Sequence, residues 1–241
     1  MSTWQLAFRF PRSAPVFAGL LLWGLAGCQT SPAPTQMPPA TPAVMQPGAV
    51  PAGAREYSVV GDDSLLQILV YRGGAMARLG HNHVIASHGL TGVVYVTADP
   101  LQTRFDISVP VNELTVDEPT MREMAGADFP PGVPQSARDG TRTNLLSEGL
   151  LNAAQYPAIR LRATDIIEAA NGYDMGVEIT IKDQVRNVRV PVSVERGEGT
   201  LKATGEFPLK QSELGLKPFS VAMGTLIVID EMKIRFEVVA R

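Results

Sequence analysis

The 241-residue chain has a single cysteine, Cys28, and three histidines. One cysteine excludes a disulfide within the chain, so burial of apolar surface has to hold the fold; 45% apolar residues is enough for that. No apolar run after Cys28 reaches the roughly 20 residues that a membrane-spanning helix needs. A basic footprint is missing as well. With 21 Lys and Arg against 24 Asp and Glu, the net charge is −3, which excludes the electrostatic signature of a nucleic-acid binder. There is no Gly-x-Ser-x-Gly elbow and no glycine-rich phosphate loop after a strand. Acids such as Asp106 and Glu113 fall on strand-like segments and read as solvated faces. The reading is a protein that is not an enzyme.

The first 27 residues contain no acid. Arg9 and Arg12 form a positive start, Val16 to Leu25 is apolar apart from Gly19 and Gly24, and small residues precede Cys28. That is the layout of a secretory signal, with an apolar stretch too short to span. Leu25-Ala26-Gly27-Cys28 resembles the bacterial lipobox. The resemblance implies cleavage before Cys28 and a diacylglyceryl thioether on its sulfur. A mature chain of 214 residues would carry a net charge of −5, two arginines having gone with the signal. Gln29 follows the cysteine in place of Asp, which implies sorting to the periplasmic face of the outer membrane. The expected location is the cell envelope, lipid-anchored.

Residues 29–54 hold no charge and no aromatic, and proline recurs at 32, 34, 38, 39, 42, 47 and 51. Such a segment cannot bury enough apolar surface to offset ordering, and proline keeps it extended. It reads as a disordered tether of roughly 80 Å reach at full extension. The expected organisation is a signal at 1–27, lipidated Cys28 and a Pro/Ala-rich linker to 54, and one domain over 55–241.

From Arg55 the texture is that of strands. Leu65 to Tyr71 alternates, with Leu66, Ile68 and Val70 on one face. Gly73-Gly74 breaks it, and Ala75 to Leu79 suits one helical turn. His81 to Thr97 reads as a long or bent strand, with a bulge or barrel corner at Gly89 and Gly92. Phe105, Ile107 and Val109 alternate with polar neighbours. Residues 119–143 read as a surface excursion with a short helix at Met121 to Ala125, and the leucine spacing predicts a second helix over Asn144 to Ala154. Strands follow at 158–164, 177–181, a turn at Asp183-Gln184, then 185–194, 200–208, 226–228 and 232–239, apolar on one face and charged on the other. Strand after strand with short turns argues for one antiparallel sheet closed as an up-and-down barrel, with one or two short helices: an all-β fold.

The domain resembles the YceI-like family. Leu150-Leu151-Asn152 to Tyr156-Pro157-x-Ile159 is similar to the family's short helix, turn and following strand. Gly205-Glu206-Phe207-Pro208-Leu209 with Ser212-x-Leu214-Gly215, Gly92-Val93-Val94-Tyr95, and the closing run from Asp230 to Ala240 carry the likeness further. It implies a lipocalin-like barrel with an elongated apolar cavity that binds a polyisoprenoid or quinone-like lipid. For such a ligand the candidate lining residues are Leu66, Ile68, Val70, Phe105, Ile107, Ile159, Leu161, Ile179, Ile181, Phe207, Phe219 and Phe236. A filled core made by the same residues is the alternative.

His81, His83 and His88 lie within eight residues. His-x-His on a strand puts two rings on one face, a start for a zinc, copper or nickel site. The same pair could hydrogen-bond a ligand head group or the backbone, and these readings stay open. No cofactor is implied beyond the bound lipid. The expected partners are that lipid and a membrane, with a homodimer left open.

Overall fold

The computed structural model describes residues 50–241. The expected signal, Cys28 and the linker up to residue 49 lie outside the described residues. The barrel has eight strands, two of them broken. β1 is Arg55–Ser58 continued by Leu65–Val70, and β2 is His83–Ser87 continued by Thr91–Val96. Then come β3 (Arg104–Pro110), β4 (Ala158–Ala169), β5 (Gly172–Ile181), β6 (Gln184–Gly197), β7 (Thr200–Lys210) and β8 (Glu231–Ala240). Each pairs antiparallel with the next.

The sheet closes where β8 meets β1. Lys233 to Glu237 pair with Leu69 to Leu65, and beyond the break Val59 bridges Ala240. Ser58 and Arg241 exchange backbone bonds of 2.7 and 2.9 Å. The buried Ser64 hydroxyl stands in for the ladder at the break: it donates to the Val60 carbonyl at 2.7 Å and accepts from Val239 N–H at 3.0 Å. The breaks in β1 and β2 face each other. A Cβ on Gly61 would lie 2.8 Å from the Leu90 carbonyl oxygen and 2.9 Å from that of His88. The break in β2 lies at Gly89, in the stretch where a bulge or barrel corner was expected at Gly89 and Gly92.

On most strands one face is wet, and there the alternation is clean. Inward positions are apolar, as in Val188, Val190, Val192 and Val194 of β6. Outward positions carry surface ion pairs such as Glu206 with Lys233 and Arg235, at 3.0 and 2.6 Å, each worth little singly. The β5–β6 hairpin turns at Lys182-Asp183, one residue earlier than expected, with Lys182 at φ +57°. The β6–β7 ladder runs from Gly197–Thr200 to Ser193–Thr204 and stops. Pro191, which has no N–H to give, lies just past that point.

The excursion between β3 and β4 differs from expectation. Helix α1 is Pro119–Ala125, starting two residues before the expected Met121, but α2 is Gln135–Leu146. The predicted helix over Asn144 to Ala154 therefore ends where it was to begin. Ser147 is extended, its hydroxyl bonds the Asn144 carbonyl at 2.7 Å, and Asn152 turns left-handed at φ +48°. The leucine spacing there reflects packing, since Leu145, Leu150 and Leu151 all face the barrel end. The polar stretch from Gln135 to Asn144 lacks apolar periodicity and takes its helix from tertiary contacts. Outside the barrel wall a second cluster, Leu69, Val84, Ala86, Met121 and Phe129, packs α1 and the next loop against β1 and β2.

Candidate functional site: the barrel cavity and its closed end

The strand order puts Arg55, Val96, Arg104, the 197–199 turn and Ala240 at one end of the barrel. Val70, His83, Pro110, Ala158, Gln184 and Glu231 lie at the other. A cavity of about 280 Å³ runs between the ends, close to the lower bound of about 300 Å³ for small-molecule pockets. From Tyr173 to Ile181, both of which border it, the strand rises about 26 Å, or roughly 20 Å along the axis at the usual tilt. The shape suits one slim chain.

Eleven of the expected lining residues surround this cavity: Leu66, Ile68 and Val70 of β1, Phe105 and Ile107 of β3, Ile159 and Leu161 of β4, Ile179 and Ile181 of β5, Phe207 of β7 and Phe236 of β8. Strand parity brings them together. Phe219 does not join them: it lies in the loop after β7, where no alternation aims it inward, and is 40% exposed. Sequence reasoning missed Leu145, Leu150, Leu151, Gln211, Leu214 and Leu216, which close one end of the cavity from outside the sheet. Leu145 lies in the last turn of α2 and the other leucines in the segments after α2 and β7; apolar character was their only signal, and Gln211 had none. Gln211 is satisfied structurally, its amide donating to the Ile229 carbonyl at 2.9 Å. At the other end, Arg196 is the single charged side chain bordering the cavity among the described residues. It continues the inward parity of Val190, Val192 and Val194, so the end near Arg196 and Thr103 is the polar mouth.

Gly205 faces inward beneath the Phe236 ring. A Cβ there would lie 2.5 Å from a Phe236 ring carbon and 2.5 Å from the Pro191 carbonyl oxygen. The missing side chain lets the phenylalanine lie flat along the wall.

The histidines border no part of the cavity. His81 precedes β2 and only His83 lies in the strand, and the two rings meet edge to face at 6.0 Å. Burial first, then the electrostatic influence of neighbouring His83, Arg72 and Arg122, holds the His81 imidazole below its ordinary range. His83 sits at the closed end, beyond Leu145. Its Nδ1 meets Asp117 Oδ2 at 2.6 Å and its Nε2 meets the Thr141 hydroxyl at 3.3 Å. Both ring nitrogens are thus engaged, and neither is spare for a metal. Among the described residues no three His, Cys, Asp or Glu side chains converge as a metal set. His88 lies 4.0 Å from Glu118.

Asp117 is the hub of this end. It is 1% exposed and left-handed at φ +55°. Its carboxylate accepts from Val84 N–H at 2.9 Å and Arg122 Nη1 at 2.5 Å besides His83. Burial alone would raise its pKa, but the hydrogen bonds from His83, Val84 and Arg122 outweigh that and hold the carboxyl below the usual range. Arg122 also donates to the Asn82 carbonyl at 2.8 Å and, through Nε and Nη2, to the Pro130 carbonyl. The Asp-His-Thr order imitates a hydrolase relay. Thr141, however, lies inside α2, where backbone N–H groups are spent on the helix and none is left to hold an oxyanion. The chemistry available is that of a latch fastening the 117–141 segment across the barrel end.

The model of the YceI-like domain matches residues 75–240. The chain belongs to the YceI-like family. β1 precedes the matched span, yet it closes this YceI-like barrel. A crystal structure of Burkholderia cenocepacia BcnA aligns at TM-score 0.55 and 19% identity, covering 76% of this chain and 99% of that one. At that identity the likeness speaks for the fold. The Campylobacter jejuni YCEI protein aligns at TM-score 0.37 and 9% identity over 61% of this chain and 80% of that one. No curated protein matches the chain.

Proposed function

We propose that this YceI-like chain is a lipid-anchored cell-envelope protein that holds an apolar ligand, a polyisoprenoid or quinone-like chain, inside its barrel. The observation that carries this reading is the cavity: long, slim, almost wholly apolar, with its few polar groups at the ends. Such a space takes an apolar tail by burial alone, and a head group at the mouth meets Arg196 and Thr103. Holding rather than converting the ligand is supported by a lining that, among the described residues, carries no carboxylate, histidine or cysteine. The anchor is part of the proposal: a signal over 1–27, acylation at Cys28 and a linker to residue 54 would tether the domain at the periplasmic face of the outer membrane.

Two experiments test the two halves. Chloroform extraction of protein purified from the envelope should release an apolar chain compound in stoichiometric amount, and extracts without one refute the ligand. Metabolic labelling with palmitate should mark the chain and fail in Cys28→Ser; equal labelling of the variant refutes the anchor.

A further inference from the structure

Residues 211–230, between β7 and β8, do two jobs. Their first part plugs the closed end of the barrel, where Gln211, Leu214 and Leu216 border the cavity. The rest runs out as a small hairpin, Ser220–Val221 with Leu226–Val228, to which Arg72–Gly73 adds a third strand. Plug and hairpin base are tied together. Gln211 N–H donates to the Asp230 carbonyl at 2.9 Å, and Ser212 N–H to the Asp230 carboxylate at 2.8 Å.

The hairpin is apolar on the outside. Met76, Leu79, Phe219, Val221, Met223 and Ile229 are six of the ten large hydrophobic side chains exposed among the described residues. Met223, at the tip, is fully exposed at 104%. The Met76 N–H bonds the Thr225 carbonyl at 2.8 Å, which seats the 76–79 turn against that tip. Charge is equally one-sided. Residues 71–81 and 215–229 contain Arg72, Arg78 and Lys217 and no Asp or Glu, in a chain of net charge −3. The loop's acids, Glu213 and Asp230, lie at its barrel end.

Apolar side chains exposed on segments whose charged residues are all cationic match the boundary between phosphate groups and acyl chains of an anionic bilayer. Among the described residues no helix is long and apolar enough to cross a membrane, so such contact would be interfacial. We infer that the 219–229 hairpin with the 76–79 turn docks on an anionic phospholipid surface and brings the plugged end of the barrel to the bilayer. The passage of ligand through that end rests on the carrier reading above; the docking itself does not. Arg55, where the linker expected from the sequence would join the domain, lies at the opposite, open end, and a linker of 26 residues at full extension would span roughly 80 Å, more than the barrel's height.

The test uses the full chain with Cys28→Ser, which leaves it free of thiols. Met223→Cys in that background takes an environment-sensitive fluorophore at the tip, and Glu198→Cys takes it at the open end. Vesicles of phosphatidylcholine and phosphatidylglycerol in equal parts should blue-shift the label at 223 and leave that at 198 unmoved. Vesicles of phosphatidylcholine alone should give a weak response. Arg78→Gln and Lys217→Gln should each lower partition about fivefold, and Phe219→Ser with Val221→Ser at least about tenfold. A silent label at 223, equal responses at both ends, or no dependence on anionic lipid overturns the inference; a silent label together with capture of a protein partner by the same hairpin does so too. Extracted lipid is measured on the same samples. Docking without bound lipid refutes the carrier reading alone, and bound lipid without docking refutes this inference alone.

Discussion

Replacing Asp117 by alanine should unlatch the closed end of the barrel. The carboxylate accepts three hydrogen bonds, two from side chains that can be cationic, and its principal partner Arg122 is only 4% exposed. Removing it leaves a buried guanidinium without its counter-charge, which costs about 3–5 kcal/mol. Alanine also lacks the tolerance of Asp for the left-handed backbone at φ +55°, adding about 1 kcal/mol. The sum, roughly 4–6 kcal/mol, lowers Tm by about 8–24 °C for a domain of this size. Asp117→Asn keeps the Oδ1 acceptor and tolerates the same backbone, so it should lose about half as much. Urea unfolding followed by far-UV circular dichroism measures both, the midpoint moving and the slope staying put. An alanine variant within about 1 kcal/mol of the parent, or alanine and asparagine variants of equal stability, would refute the latch.

The same carboxylate sets an acid limit. Its folded pKa is depressed, so its contribution is complete above the unfolded value near 4 and disappears as pH falls through the lower folded value; Asp117→Asn should flatten the fall in urea midpoint over that range, and a parallel curve would exclude Asp117 as its source. Gly205→Ala should cost about 1–3 kcal/mol, because the Pro191 carbonyl and the Phe236 ring both stand 2.5 Å from the new Cβ; an unchanged midpoint and unchanged extracted lipid would show that the ring does not need the glycine. Val177→Phe with Val192→Phe places bulk in the cavity. If that space is for a ligand, bound lipid falls while stability changes by less than about 1 kcal/mol. A filled core would instead lose about 1–3 kcal/mol per site.

The barrel was legible in the sequence because most strands have one dry face and one wet face. Ile159/Leu161, Val188 to Val194 and Ile234 to Val238 announce both a strand and its inward side. Leu65 to Val70 was harder, since the cluster around Met121 and Phe129 covers its outer face and leaves apolar residues on both. The strand breaks carry only Gly61 and Gly89 as signs, and closure depends on the Ser64 hydroxyl, which no pattern marks. α2 was misplaced because its polar half is helical through contacts with residues far away in sequence.

The cavity walls could be read from parity; its ends could not. Leu145 reaches the barrel from the last turn of α2, and Leu151, Leu214 and Leu216 from the segments after α2 and β7, where strand parity says nothing about direction. The histidine pair drew attention by composition, yet its meaning lies in Asp117, 34 positions from His83. No local pattern joins those two. The six exposed apolar side chains of the 71–81 and 215–229 segments looked like ordinary strand and loop residues until the fold left them without cover.

Native mass spectrometry of the chain purified from the envelope, with organic extraction of the same sample, bears most directly on the central claim. The account predicts a mass excess of one ligand per chain, lost on extraction and recovered as an apolar, polyisoprenoid or quinone-like chain. A single species at the protein's own mass, with nothing extractable, would contradict it and leave a barrel that only packs its own core.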